Sequence, residues 1–439
     1  MIERHRPLSR CLTLSVCVGL VCAFAVSRAA ETAHSPAQHE TAAEEKPSGS
    51  PAGHTANAAQ EAKPSPAKSA GGYPAEVQGM LKLGASLTDR GEYESAEIAF
   101  RQVMAWPEGP VPAVQDAVLG LARMYRRQGS LTKAAAIYEK FLKEYPGSNR
   151  SPDVLLDLGR THRAMGAHKL AINRFYSVIN STLKLPAEGF EHYQLLAKTA
   201  QYEIAETHFL AGEFAEAGKF FARLRLLDLA PADRASAHFK SGHALHLQGE
   251  IVGAVATLRA YLEQWPDDEN VPQARYLLAT SLRSLNRQQE AFAVTLDLLR
   301  AAKSNDTSDA KRWVYWQRRT GNQLANDFFE SGETLNAQAI YRSMVELSSE
   351  PAWRLPLTYQ IGLCQERLGN ADLARASYQT IIDSAGETPT AEVKEVARMA
   401  SWRIGHLDWR EKIGQQVTAF FETTTGRPSL LPSPAKTEP

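Results

Sequence analysis

Cysteine is scarce in this chain: there are four in 439 residues, and three of them, Cys11, Cys17 and Cys22, lie within the first thirty positions. Without that stretch Cys364 stands alone, which excludes an internal disulfide framework and a cysteine-pair metal site. A lone cysteine at a helical position is expected to act as a small buried hydrophobe, with a thiol that reacts or pairs between chains as the alternative. Neither sign of charge is in excess, with 49 Lys and Arg against 49 Asp and Glu, and 45 against 48 once residues 1–30 are set aside. So balanced a chain lacks the basic surplus of a general nucleic-acid binder. Also missing are a phosphate-cradling glycine-rich loop, a nucleophile elbow and an His-Glu-x-x-His pattern. No catalytic, cofactor-binding or metal-ligating residue is therefore assigned. His243 and His246 stand close enough on one helix to share a metal, but no third ligand is evident.

Long apolar runs are scarce too. The one present, Cys11 to Val26, is 16 residues long, short of the roughly 20 that a spanning helix needs. It follows Arg4, Arg6 and Arg10 and precedes Ser27-Arg28-Ala29, a small-x-small cleavage pattern, so residues 1–30 read as a secretory signal. An uncleaved anchor is the alternative; Val21 before Cys22 departs from a lipoprotein signal. The expectation is export to the periplasm, with association at the outer membrane left open and no integral span after cleavage. Residues 31–72 hold almost no large apolar side chain and are rich in Ala, Pro, Ser, Glu and Lys, the composition of a disordered linker. Residues 425–439 are Pro-rich and read as a disordered tail, leaving residues 73–424 as the expected folded part.

Within that part a spacing recurs: a small residue, glycine seven positions on, alanine five further. It appears at Gly84/Gly91/Ala96, Ala122/Gly129/Ala134, Gly159/Gly166/Ala171, Ala205/Gly212/Ala217, Gly242/Gly249/Ala254, Ala325/Gly332/Ala337 and Gly362/Gly369/Ala374. An eighth copy, Ala279/Asn286/Ala291, has asparagine at the middle position. The spacing predicts antiparallel helix pairs, with small residues where the backbones approach and a residue tolerant of positive φ at the turn. Sixteen residues after each small residue stands Phe100, Tyr138, Phe175, Phe221, Leu258, Thr295, Tyr341 or Tyr378, a bulky column for the groove the small residues leave. The steps between copies are 38, 37, 46, 37, 37, 46 and 37 residues, in the range of a solenoid. The two steps of 46 predict longer first helices, from about Glu188 to Leu210 and from about Asp309 to Glu330. Glycines 120 apart extend the scheme to a ninth, degenerate unit built on Ile404-Gly405 and ending near Phe421.

Leu121-Ala122-x2-Tyr125, Ala134-x3-Tyr138 and Pro146 resemble the tetratricopeptide repeat. The resemblance implies an all-α, right-handed superhelical solenoid of about eight helix-turn-helix repeats plus a degenerate C-terminal ninth or capping unit. Tyr138-x2-Phe141-Leu142-x2-Tyr145-Pro146-Gly147-Ser148 and Leu258-x2-Tyr261-Leu262-x2-Trp265-Pro266-Asp267 look like repeats of periplasmic proteins in outer-membrane assembly and Tol-Pal-linked division.

In that family the first helices line a concave groove, through residues three before, one after, four after and five after the small residue. Carried over, those offsets name Arg123, Arg126, Arg127, Arg160 and Arg163 in the second and third repeats. They name Tyr202, Phe209, Phe239 and Tyr276 in the next three. The implied partner is a protein or peptide, held by an exported scaffold in the bacterial envelope. An anionic glycan, bound by the arginines and by aromatics stacking on sugars, is the second reading, and a cell-wall hydrolase the third. Against all of them stands a plain one, in which the arginines pair with acidic neighbours on a solvated face. A carboxylate clamp is matched only by Asn322 and Asn326, without its lysines. Lys311-Arg312-Trp313-Val314-Tyr315-Trp316-Gln317-Arg318-Arg319 is the densest basic-aromatic stretch, a surface for a partner or, at helical spacing, a packed stripe. Trp402 and Trp409, seven apart, are expected to be core or cap residues.

Overall fold

The computed structural model describes residues 74–106, 110–182, 190–301, 307–386 and 389–425. The expected signal, the linker, the three N-terminal cysteines and the tail beyond residue 425 lie outside the described residues. Within them the chain is all-α, an array of seventeen helices. Eight pairs follow one another. They are α1 (Ala75–Arg90) with α2 (Tyr93–Met104), α3 (Val111–Arg127) with α4 (Leu131–Glu144), α5 (Ser151–Ala164) with α6 (His168–Thr182), and α7 (Phe190–Leu210) with α8 (Phe214–Leu224). Then come α9 (Pro231–Gln248) with α10 (Ile251–Gln264), α11 (Val271–Ser284) with α12 (Gln288–Arg300), α13 (Thr307–Glu330) with α14 (Thr334–Val345), and α15 (Pro351–Arg367) with α16 (Ala371–Ser384). A single helix, α17 (Ala391–Thr425), ends the array. Each second helix packs on its own first helix and on the first helix of the next pair. The core is accordingly a strip passed from pair to pair, the organisation of a solenoid.

The turn inside each pair is set by one residue. Gly91, Gly129, Gly166, Gly212, Gly249, Gly332 and Gly369 all have φ between 75° and 88°, and Asn286 supplies φ 58° where the eighth copy lacks glycine. Asparagine is the side chain best suited to replace glycine there, because its short polar arm tolerates the left-handed region. The helix starts are marked as well: α3, α5, α9, α11 and α15 carry proline in the first two positions, where no intrahelical N–H bond is lost.

Between those turns the small residue and the bulky residue sixteen further on meet. A Cβ built on Gly84 would lie 2.8 Å from the Phe100 ring, one on Gly159 2.5 Å from Phe175, one on Gly242 2.9 Å from Leu258, and one on Gly362 2.5 Å from Tyr378. The other repeats use alanine, and Ala122, Ala205, Ala279 and Ala325 are fully buried. The bulky column is sealed along its whole length, Thr295 included, whose hydroxyl donates to Ala291 O at 2.8 Å. The two lengthened first helices are present: α7 has 21 residues and α13 has 24.

The ninth unit departs from the pattern. It is one continuous helix of 35 residues that runs straight through Gly405. The turn position, seven after Gly405, is occupied by Lys412, which has no tolerance for positive φ, so nothing ends the helix there. Among the described residues no second helix folds back on it, and Trp402 and Trp409 are 61% and 58% exposed rather than packed.

Replacing Gly159 by Ala is expected to cost about 1–3 kcal/mol in urea unfolding, since its Cβ meets a sealed ring. Asn286→Gly is expected to raise stability by about 0.5–1 kcal/mol.

Candidate functional site

At five junctions the first helices are joined by polar bridges that follow one rule. Side chains three before, one after and four after the small residue reach the residue two before the small residue of the next repeat. From repeat 2 to repeat 3, Arg123 Nε donates to Asp157 at 3.1 Å, and Arg126 lies 3.8 Å from the same carboxylate. From repeat 3 to repeat 4, Arg160 and Arg163 both grip Glu203, at 2.6 and 2.5 Å. Then the sign reverses, and Glu206 of repeat 4 pairs with Lys240 of repeat 5. Lys240 also donates to Tyr202 Oη at 3.1 Å and lies 5.3 Å from the centre of that ring. Tyr276 donates to Gln323 Oε1 at 2.9 Å, and Arg403 on α17 lies 3.5 Å from Glu366. Arg127 points the other way, to Asp89 of repeat 1.

All five arginines proposed from sequence therefore face carboxylates of this chain, and Asp157 and Glu203 are themselves buried. That arrangement favours the plain reading of the arginines and removes the free guanidiniums on which a glycan site would depend. Asp157, Glu203, Lys240, Gln323 and Arg403 went unnamed at the sequence level. Their signal was present at Asp157, Glu203, Lys240 and Arg403, where the residue two before the small residue answers a charge of the repeat behind it.

The aromatic members divide. Phe239 and Tyr276 are 4% and 9% exposed and belong to the core, with Phe239 against Tyr261 at 5.6 Å and Tyr276 against Trp316 at 5.2 Å. Tyr202 and Phe209 are half-buried, edge-on to Phe221 at 5.9 and 6.4 Å, and next to them Leu210 is 61% exposed. His243 packs between Phe209 and Phe239 at 5.2 and 5.8 Å. Burial pushes its pKa down to about 4, and the nearby His246 and Lys240 add to the shift. His246 hydrogen-bonds Ser281 Oγ through Nδ1 at 2.8 Å. The two histidines thus serve packing and repeat contact, and among the described residues no group of three His, Cys, Asp or Glu gathers as metal ligands do.

The basic-aromatic stretch on α13 is mostly absorbed into packing. Gln317 is buried and donates to Leu298 O at 3.0 Å, Arg318 stacks over Trp353 at 4.4 Å, and Arg312 pairs with Glu269 at 2.8 Å. Arg319 covers Tyr276 and Trp316, leaving Tyr315 as the exposed ring. Asn326 accepts a hydrogen bond from Tyr341 at 2.6 Å. Cys364 is buried, and burial pushes its thiol up to about 12.

Comparison with known proteins returns tetratricopeptide-repeat profiles over residues 81–149 and 358–387. Curated proteins give no match. Among solved structures, a tetratricopeptide repeat protein from Parabacteroides merdae is 14% identical, covering 74% of this chain and 99% of that one at a TM-score of 0.36. Pseudomonas aeruginosa pilF is 16% identical, covering 54% and 96% at a TM-score of 0.37. The apo form of the quorum sensor NprR from B. thuringiensis is 12% identical, covering 80% and 88% at 0.30.

Two outcomes are expected. Glu203→Ala leaves Arg160 and Arg163 facing each other without their carboxylate, a loss of about 2–4 kcal/mol in chemical denaturation. For His243 the unfolded chain takes up its proton first, because the folded pKa lies below the ordinary value. The stability of the neutral ring is complete above about pH 6.5 and is lost as pH falls toward about 4. Unfolding measured across that window should show His243→Gln losing about 2–3 kcal/mol less than the parent chain.

Proposed function

We propose that this chain, a member of the tetratricopeptide-repeat family, is a non-enzymatic scaffold of the bacterial cell envelope whose first-helix face holds a protein or peptide partner. The observation that carries this reading is the division of labour along the face. Its charged stretches, Arg123 to Asp157, Arg160 to Glu203 and Glu206 to Lys240, are spent on joining repeats. Between them Tyr202, Phe209 and Leu210 of the fourth repeat keep apolar surface in reach of solvent. Large flat side chains beside satisfied charges give contact area without leaving an unpaired ion, the arrangement of an interface centre. A peptide with apolar side chains is the occupant that such a surface fits.

Export is supported by the sequence features of residues 1–30, a basic start, a short apolar run and a small-x-small ending. Among the described residues no helix is long and apolar enough to cross a membrane. The resemblance of the repeats at Tyr138–Ser148 and Leu258–Asp267 to envelope scaffolds points to the same compartment.

A photo-crosslinking residue placed at Tyr202 or Phe209 in cells is expected to capture one envelope protein or peptide, and Leu210→Asp to reduce that capture about ten-fold. Adducts confined to cytosolic proteins, or the same yield with Leu210→Asp, would sink the proposal.

A further inference from the structure

We infer that the free face of α17 is a second docking site, built for an amphipathic helix of a partner protein that carries carboxylates beside its apolar stripe. One side of α17 is used within the chain: Val393, Val396, Ala400 and Leu407 are buried where the helix packs on α15 and α16. On the opposite side Trp402, Trp409, Ile413 and Phe420 are 61%, 58%, 38% and 63% exposed. His406 stacks between the two tryptophans, 5.4 Å from Trp402 at 13° and 6.0 Å from Trp409 at 29°. Steps of four, three, four and seven residues keep all five on one stripe of the helix.

The place of that stripe in the repeat scheme says what kind of object it fits. Relative to Gly405, Trp402, His406 and Trp409 stand three before, one after and four after. Those are the positions by which Tyr202 and Tyr276, Arg123 and Arg160, and Arg126 and Arg163 take hold of the next first helix. The stripe continues an interface that the chain forms repeatedly within itself, on the last of the described helices. The occupant is therefore a helix. From Trp402 to Phe420 the stripe spans about 27 Å, longer than the 14-residue first helices α5 and α11, and calls for a partner helix of about 20 residues.

Charge decides between a second copy and a different protein. Arg410 and Lys412 stand exposed on the two edges of the stripe, about 40° and 120° from His406 around the helix. Asp408 and Glu411 lie away from it and are held by Arg375 at 3.0 and 2.5 Å. Two copies paired through this face would bring cations against cations. A helix with an apolar stripe and flanking glutamates or aspartates would meet them as Asp157 and Glu203 meet the arginines behind them.

The test uses the full chain and a labelled synthetic helix of about 20 residues with a leucine stripe flanked by glutamates, followed by fluorescence anisotropy. Its twin carries lysines in place of the glutamates. The acidic peptide is expected to bind, with its dissociation constant raised at least about ten-fold in both the Trp402→Ala/Trp409→Ala variant and Arg410→Glu. The lysine twin is expected to bind at least about ten-fold more weakly. These side chains are exposed, so an unchanged thermal midpoint confirms that each variant is folded. The proposal falls if the variants bind as the parent does or if the twin binds equally well. It falls too if the peptide-free chain sediments as a dimer that Trp409→Ala dissociates, which makes a second copy the occupant. A chain ending at Thr425 that binds the acidic peptide about ten-fold tighter than the full chain would overturn it as well, by assigning the stripe to the chain's own tail.

Discussion

The close approach of two backbones inside each helix pair is the constraint on which the rest depends. At Gly84, Gly159, Gly242 and Gly362 a bulky side chain sixteen residues ahead lies so near that even a methyl group has no room. That contact fixes how deeply the second helix sits against the first, and hence which side of the first helix remains to meet the next repeat. It is a steric condition set within about forty residues, so it can be met again and again without reference to a distant centre. Stability then accumulates from neighbour to neighbour, as in other linear arrays.

The second level of organisation is polar. Between successive first helices the chain places ion pairs and tyrosine hydroxyls. Such bonds have geometric requirements that an apolar contact lacks, so they define the register in which one repeat meets the next. They also account for why so many charged side chains project from these helices although the chain carries no net charge.

This division explains what could be read in advance. The helix pairs, their turns and the two lengthened helices were legible because glycine, asparagine and proline act locally and recur at fixed spacing. The fate of the candidate site was less so. Arg123 looks like a ligand-binding side chain until Asp157, thirty-four positions on, is placed opposite it. Phe239 and Tyr276 occupy groove offsets, yet Tyr261 and Trp316 close over them, and no offset rule counts such neighbours. The end of the array misled for a different reason. Ile404-Gly405 reproduces the small residue, but a repeat also needs a residue that turns the chain, and Lys412 extends the helix instead.

The reversal of sign along the ion pairs has a consequence for the order of the repeats. Repeat 3 presents two arginines forward and meets a glutamate, whereas repeat 4 presents a glutamate forward and meets a lysine. Were repeat 4 skipped, by a slip in folding or by deletion at the level of the gene, Arg160 and Arg163 would confront Lys240. Like charges would then stand where a shared carboxylate belongs. Repeats with similar hydrophobic seams are thus told apart by charge at this one junction, which disfavours joining repeat 3 directly to repeat 5.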